Sequence, residues 1–426
     1  MTRSLSSAIS GIDAAQAMLD NIGNNIANVN TTGYQDTSVQ FSDLLYQQVS
    51  AAGAPQAGST GGVNPIFVGT GVRVSGSAVS FAQGTNVQTG SPTDVAIQGN
   101  GFLIANQNGQ TYYTRAGNLK LDGNGQLVTQ TGALVQGWSP NASGVISTTG
   151  PTGPLSIPQG QAANPQATAN ITMGGNLPVW NGTGGTAPSL TATTTAYDSL
   201  GNQIPITITF TGTSGTANSW DVAVTTPTPG STTGATTTLE SGGTITFSPT
   251  TGQMTSTTPL TLKNFPNGYS LPSGYTMNLN FPTAGTPAAV TQFSGSSTIA
   301  VSSQDGYSSG SLQNFTIGSD GTISGTYSNG RTQSLGQVAL AIFSNPQGLT
   351  KVGNLDYQTT LNSGTPQVGT AGTGGRGQLL GGSLESSNVD LGTELTNLIV
   401  AQNAYQADTK VVSTSSTVLQ ALVQMA

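Results

Sequence analysis

The sequence predicts an α+β, multidomain chain in which a terminal α-helical coiled-coil domain is joined to mainly-β domains nested along the chain. Three observations carry that prediction. Apolar residues recur every seven positions at the two ends of the chain. Short β-type runs separated by Gly, Asn and Asp turns fill the middle. Only 6% of the 426 residues are charged, against about 25% in an average soluble protein.

The N-terminal period runs through Leu5, Ile12, Leu19 and Ile26, with Ala8, Ala15, Ile22 and Val29 each three residues later. That is the spacing of an a/d seam. At the other end Leu391, Leu398, Tyr405, Val412 and Leu419 recur every seven, and Ala404, Val411, Val418 and Met425 fill the neighbouring row. At about 1.5 Å per residue the stretch from Leu391 to Ala426 would reach about 54 Å, well beyond an average globular helix. Two covers for these stripes are open: the ends pack on each other within one chain, or they meet other copies of the same chain.

Composition removes whole classes of function. The formal net charge is −7, and the nine basic residues, from Arg3 to Lys410, are scattered without a patch, so no nucleic-acid partner is expected. The chain has no Cys and no His. Thiol and imidazole nucleophiles, His acid/base chemistry and Cys/His metal sites are therefore excluded, and no catalytic residue, cofactor or metal is assigned. Lack of Cys also suits a chain that stays unfolded until it leaves the cell. The start MTRSLSSAIS has no apolar core or cleavage pattern of a secretion signal, and no run approaches the roughly 18–20 apolar residues of a membrane span, so no membrane insertion is expected. A neutral polar surface suits a protein packed against neighbours better than a freely diffusing enzyme.

Taken in order, the first helix is expected from Ser4 to Ile26 or Val29. Asn24, Asn25, Asn28 and Asn30 crowd its end and Gly33 closes it, residues that tolerate the left-handed conformation of a helix stop. Ala51 to Gly76 reads as an extended linker, with strand-like alternation from Phe67 to Val74. Ser91 to Trp138 is a run of short strands around Asn108-Gly109 and Asp122-Gly123-Asn124-Gly125, which is hairpin turn chemistry. Gly99-Asn100-Gly101 is followed by no helix, so it is no phosphate loop, and the Asp122 turn lacks the carboxylate spacing of a calcium loop.

Ser139 to about Ser302 is Thr-, Ser-, Gly- and Pro-rich, with β-type runs at Ile204 to Phe210, Trp220 to Val224, Gly243 to Phe247 and Tyr275 to Phe281. An inserted all-β sandwich or barrel is expected. Strands resume from Gly318 to Leu349, and Thr365 to Gly382 reads as a second Gly-rich linker. Asn388 or Asp390 as N-cap, with Glu394 in the first turn, starts the last helix. A β-rich carbohydrate-binding protein or enzyme remains an alternative from the residues alone, with Trp180 and Trp220 as a sugar platform or Asp198 acting with Asp221 or Glu240.

Several stretches are similar to known ones. LSSAISGIDAAQAMLDNIGNNIANVNTTGYQDTSVQFSDLL resembles the N-terminal signature of the bacterial flagellar axial proteins, the family of rod, hook and hook-associated subunits, with Asp20 to Tyr34 matching its Asn-rich block. Gln35 departs from it where the family often has Lys. Asp94 to Phe102, Tyr113 to Gly117 and Val135 to Trp138 resemble a second signature of the rod and hook members. Tyr197 to Asn202 is similar to a hook motif, as is the stretch GTYSNGRTQSLGQVALAIFSNPQGL. Leu384 to Asp390 and Gln402 to Asp408 resemble the C-terminal signature, with Asn403 where the family usually has Arg.

The resemblance implies a nested chain. Residues 1–72 with 380–426 would form the terminal helical assembly domain and its linkers, 73–138 with 303–379 a β-rich middle domain, and 139–302 an inserted outer β domain. It implies a subunit of the flagellum that polymerises with itself into a short curved tube coupling rod to filament, exported by the flagellar type III apparatus to its place outside the cell. Its partners would be further copies, a distal rod protein, a hook cap protein and hook-filament junction proteins. A distal rod subunit is the alternative within the family, disfavoured by the large insert.

Overall fold

The computed structural model describes the chain except residues 1, 55–60, 142–143, 161, 184, 232–233, 257–258, 283–288 and 426, and describes no side chain at 2–3, 241, 422 and 425. Met425 of the expected seam therefore lies outside the described side chains, as does part of the expected linker over 51–76. Two compact units are present. The first comprises Met1–Gln159, Asn314–Gly325 and Thr332–Ala426, and the second Gly160–Gln313 and Thr326–Arg331.

The first unit holds both helices, α1 (Thr2–Ala27) and α2 (Leu391–Met425). Asp390 is the cap that starts α2: its Oδ1 accepts the backbone N–H of Gly392 at 2.8 Å and of Thr393 at 3.2 Å. Those bonds hold its carboxyl below the usual carboxylate range, as orphan amides at a helix start do. Asn388, the other candidate, is engaged elsewhere. α1 ends in a turn in which Asn28 N–H donates to Asn24 O and Asn25 O, and Gly33 follows at a φ of 72°.

The β body of this unit is antiparallel around Phe102–Gln107, which pairs with Gln110–Thr114 and with Leu134–Trp138. The Asn108-Gly109 turn has both φ angles positive, 52° and 80°, as a two-residue hairpin of this hand requires. Thr332–Ile342 lies against Leu134–Trp138 and Phe102–Gln107. The core is aromatic. Phe102 meets Phe81, Phe343 and Tyr357 edge-on at ring-centre distances of 5.3, 5.8 and 5.7 Å.

The structure places the strand-like stretch Phe67 to Val74 of the first expected linker within two strands, Ile66–Gly69 and Val72–Val79, and corrects the second expected linker. Thr37–Asp43 pairs antiparallel with Val72–Val79, and Tyr46–Ser50 with Ile66–Gly69. Tyr46–Ser50, which precedes the expected linker, supplies the partner strand of Ile66–Gly69. The ladder breaks at Thr70 and Gly71, whose φ of 122° and tight approach to Ser10 on α1 leave no room for a side chain. Gln367–Thr370 and Gln378–Gly381, inside the second expected linker, pair with Thr332–Ile342 and Val95–Gln98. A sheet edge supplies backbone partners whatever the side chains are, so composition hid these strands.

The second unit is a two-layer β-sandwich. Ser189–Tyr197, Gln203–Gly212, Ser219–Pro227 and Thr236–Thr246 form an antiparallel meander. The facing sheet centres on Asn170–Leu177, parallel to Met277–Asn280 and Val290–Gln292 and antiparallel to Ala300–Gln304. Ile204, Ile206, Ile208 and Phe210 alternate inward and share one core with Ile171, Met173, Met277 and Leu279. That period of two is the signature of a sheet with one covered face.

The sugar-site alternative does not survive in this unit. Trp220 is fully buried in the core, and Trp180 donates its indole N–H to Thr213 O at 2.8 Å with its ring against Gly212. Neither presents a stacking face. Asp221 sits opposite Thr211 and Glu240 opposite Val224, so neither pairs with Asp198 at the other end of the strand. Asp198 is wholly buried and accepts N–H bonds from Leu200, Asn202 and Ser270 backbones and from the Asn202 side chain, all at 2.8–2.9 Å. Its carboxylate is the organiser of a turn.

Burial pushes the Asp198 carboxyl up, but these four donors outweigh it and hold it below its ordinary value. A group depressed in the folded state stabilises above its unfolded pKa and loses that contribution as pH falls through the folded one. Asp198→Ala is therefore expected to cost the second unit about 3 kcal/mol at neutral pH. Thermal unfolding followed by circular dichroism should show the loss shrinking as pH falls through the lowered folded value, where wild type loses the charge that holds these bonds. An equal penalty at pH 7 and pH 2 would refute the role of the carboxylate.

Candidate functional site

The motif residues singled out in the sequence converge on the junction between the two helices and the β body of the first unit. α1 and α2 run antiparallel: Gly11 faces Asp408, and Asn25 Nδ2 lies 3.5 Å from Glu394 Oε1 near the other end. A side chain on Gly11 would collide with the Asp408 carboxylate. In this register the last turns of α2 pass beyond the start of α1.

Burial follows from that register. On α1, Ala8, Ala15 and Ile22 are buried and Leu5, Ile12, Leu19 and Ile26 half-buried. On α2 the row facing α1 is Glu394, Leu398, Ala401, Tyr405, Asp408 and Val412, a 4-3-4-3-4 spacing with Glu394 and Ala401 fully buried. Leu391 and Leu419, of the expected seam, are 44% and 40% exposed. Leu419 and Val423 continue the inward row past the end of α1. Val400, Val411 and Val418 form a second apolar row on a flank of α2, each more than 40% exposed.

At the base of the helix pair Asn25, fully buried, bonds in all directions. Its amide N–H₂ donates to Asp36 Oδ1 at 2.6 Å and Thr37 O at 2.8 Å, and its Oδ1 accepts from the Tyr34 hydroxyl at 3.0 Å. Asn388 does the same for the C-terminal side: Nδ2 donates to Ser80 O, Ala82 O and Gln35 Oε1, and Oδ1 accepts Asp36 N–H at 2.7 Å. Asn24 reaches Tyr34 OH at 3.4 Å, and Asn28 closes the turn onto Asn24 O and Thr31. Asn30 and Gln402, also in the motifs, are exposed and take no part in the junction.

Gly33 is pressed against the β body. Its N–H donates to Glu385 O at 2.8 Å, and a Cβ there would lie 2.9 Å from the Ala116 backbone. Next to it Arg115 and Glu385 form a buried ion pair, side chains 2% and 0% exposed, with Nε and Nη2 at 3.1 and 3.2 Å from the two carboxylate oxygens. Arg115 also donates to Gly99 O and Glu385 accepts Gly84 N–H. Three stretches far apart in the chain are thus locked at one point. Lys351 seals it, with Nζ 2.8 Å from Thr37 Oγ1 and 5.3 Å above the Tyr34 ring.

Sequence reasoning placed Asn24, Asn25, Asn28, Gly33, Asn388 and Asp390 in motifs, and it missed the Arg115–Glu385 pair and Lys351. The available signal was scarcity: in a chain with so few charges, an Arg and a Glu inside two separate motifs are candidates to meet. Burial lowers the Lys351 pKa against the pull of Asp36, and raises that of Glu394, with Asp36 adding to the rise. Among the described residues no group of three or more His, Cys, Asp or Glu is arranged to hold a metal ion.

A helix pair clamped to a β body, with apolar rows left facing outward, is the build of a structural subunit of an assembly. Residues 5–35 match the profile described as flagella basal body rod protein, 96–176 the flagellar hook protein FlgE/F/G D1 domain, 183–307 the flagellar basal body protein FlaE D2 domain, and 380–425 the flagellar basal body rod FlgEFG protein C-terminal. The chain is 37% identical to the flagellar hook protein FlgE of Treponema pallidum and 34% to that of Borreliella burgdorferi, over 100% of each pair of chains. It is 36% identical to that of Salmonella typhimurium over 99% of this chain and 100% of the other. The chain belongs to the flagellar hook protein family. The crystal structure of Helicobacter pylori flagellar hook protein FlgE2 shares the fold, with a TM-score of 0.54 at 15% identity over 70% of this chain and 100% of that one.

The buried ion pair tests the junction. Removing one partner strands a buried charge, so Arg115→Ala is expected to destabilise the first unit by about 3–5 kcal/mol. Replacing both, as Arg115→Met with Glu385→Leu, should recover most of that loss. Chemical denaturation of the three chains reads it, and a double variant no better than the single would show that Arg115 acts by packing rather than by charge.

Proposed function

We propose that this chain is the subunit of the bacterial flagellar hook, polymerising helically with itself into a short curved tube that couples rod to filament. End-to-end similarity to hook proteins places it in the flagellum and disfavours the distal rod alternative and the secreted sugar-binding one. The observation that carries the mechanism is the set of apolar rows on α2 that α1 does not cover. Val400, Val411 and Val418 on its flank and Leu419 and Val423 beyond the end of α1 leave apolar surface in water, which a subunit buries only against neighbours.

Leu5, Ile12, Leu19, Ile22 and Ile26 with Leu398, Tyr405 and Val412 hold the helix pair, and Leu391, Leu419 and the flank row make the inter-subunit seam. In this proposal 1–72 with 380–426 is the inner assembly domain, 73–138 with 303–379 the middle one and 139–302 the outer one. Near-absence of surface charge lets neighbouring domains slide without making and breaking ion pairs. Its partners are further copies, distal rod protein, hook cap protein, hook-filament junction proteins and the flagellar export apparatus, and its role is mechanical rather than enzymatic.

Two measurements test this. Electron microscopy of flagellar bases from cells lacking only this chain should show complete rods without hooks. Rods that stop short would move the assignment to the distal rod. In solution, Ile12→Asp or Leu398→Asp should abolish polymers in sedimentation while the circular dichroism of the β units stays that of wild type, and a variant that still polymerises would refute the helix pair as the assembly core.

A further inference from the structure

Beside the junction lies a cavity of about 560 Å³ lined by both polar and apolar groups. Asn24, Asn28 and Tyr34 of the N-terminal motif line one side, and Asn354, Leu355 and Asp356 another. Asp356 is only 8% exposed, and its carboxylate has no hydrogen bond or ion pair with any described residue, the one ion pair among them being Arg115 with Glu385. Lys351 lines the same cavity but its ammonium is already taken by Thr37 Oγ1 and Gln35 O, at 2.8 and 3.4 Å. The turn that presents Asp356 is itself unusual. Asn354 and Leu355 stand at φ of 51° and 65°, and a leucine there is held against its preference, here with Leu355 O accepting from Thr114 Oγ1 at 3.0 Å.

No described group donates to the Asp356 carboxylate, whose oxygens keep access to solvent, and partial burial pushes it up to about 6. The group that complements it best is a cation sized for the cavity and able to donate to the amide oxygens around it, which describes a guanidinium or ammonium side chain. This chain has such groups unspent: Arg73, Lys120, Lys263 and Lys410 are exposed and pair with no carboxylate among the described residues. The geometry points to this cavity as a socket for a basic side chain of a second copy of the chain, filled when subunits assemble. The inference rests on the hook-subunit proposal.

A filled socket keeps Asp356 ionised in the polymer, whereas the free subunit takes up a proton as pH falls below about 6. The other charged and titratable groups around it are Lys351 and Tyr357 on its own hairpin, Tyr113 beside it on the paired strand and Tyr34 from the motif loop. The tyrosines are raised above their ordinary value and Lys351 lowered from a value above 10. Polymer is thus the state that binds fewer protons. The critical concentration for polymerisation, measured by sedimentation of the full chain from pH 8 to pH 5, should rise by up to about tenfold per unit below pH 6.

Asp356→Asn should raise the critical concentration at pH 7.5 and flatten that rise, with unchanged circular dichroism. Alanine at one of Arg73, Lys120, Lys263 or Lys410 should reproduce both effects. Should the Asn variant fold poorly, arginine amide supplies a second measurement, since it should inhibit wild-type polymerisation more than sodium chloride of equal ionic strength. A folded Asn variant with the wild-type pH profile, four alanine variants that all keep it, or no excess inhibition by arginine amide would overturn the socket and leave the hook-subunit proposal standing. Wild type that forms no polymer at any pH would take down both.

Discussion

The structure of the first unit depends on one buried contact, the Arg115–Glu385 pair with Gly33 pressed beside it. Glu385 precedes α2 by six residues and Gly33 follows α1 by six, while Arg115 belongs to the β body. One desolvated ion pair therefore fixes where both helices leave the sheets. Such a pair contributes little net stability against an apolar equivalent, but it tolerates no misalignment, because a displaced partner leaves a charge in a low-dielectric interior. That intolerance suits a part that must hold an angle under load.

The amides around it work in the same sense. Asn25 and Asn388 each satisfy both halves of the side-chain amide with groups from separate segments, so neither bonds well unless every segment is in place. Glycine at position 33 is required twice over, by a left-handed φ and by the Ala116 backbone in its way. The motif that reads in the sequence as a helix stop is also the docking face for the chain's other end.

Outside the junction the molecule leaves apolar surface uncovered. The flank of α2 and the paired strands Tyr46–Ser50 and Ile66–Gly69, where Leu45, Tyr46, Ile66 and Phe67 are all more than half exposed, would be liabilities in a monomer that stayed monomeric. In the proposed hook assembly they would be the material of contacts, and the scarcity of charge nearby would make those contacts rest on shape and apolar area rather than on ion pairs.

Heptad spacing, Asn-Gly turns and alternating strands determined, from the sequence alone, that the ends are helical and the middle is β, and pointed to a helix stop near Gly33 and a helix start near Asp390. These are local signals, set by periods of 3.5 and 2 residues and by which residues accept a positive φ. Tertiary structure alone decided that α1 covers the Glu394–Val412 row and leaves Leu391 and Leu419 open, since a periodic stripe does not say which of its members a partner reaches. It also decided that Thr37–Asp43, Tyr46–Ser50, Gln367–Thr370 and Gln378–Gly381 are strands and that Arg115 finds Glu385. Pairing across hundreds of residues is settled by which backbone edges and charges are brought together, and no local propensity encodes it.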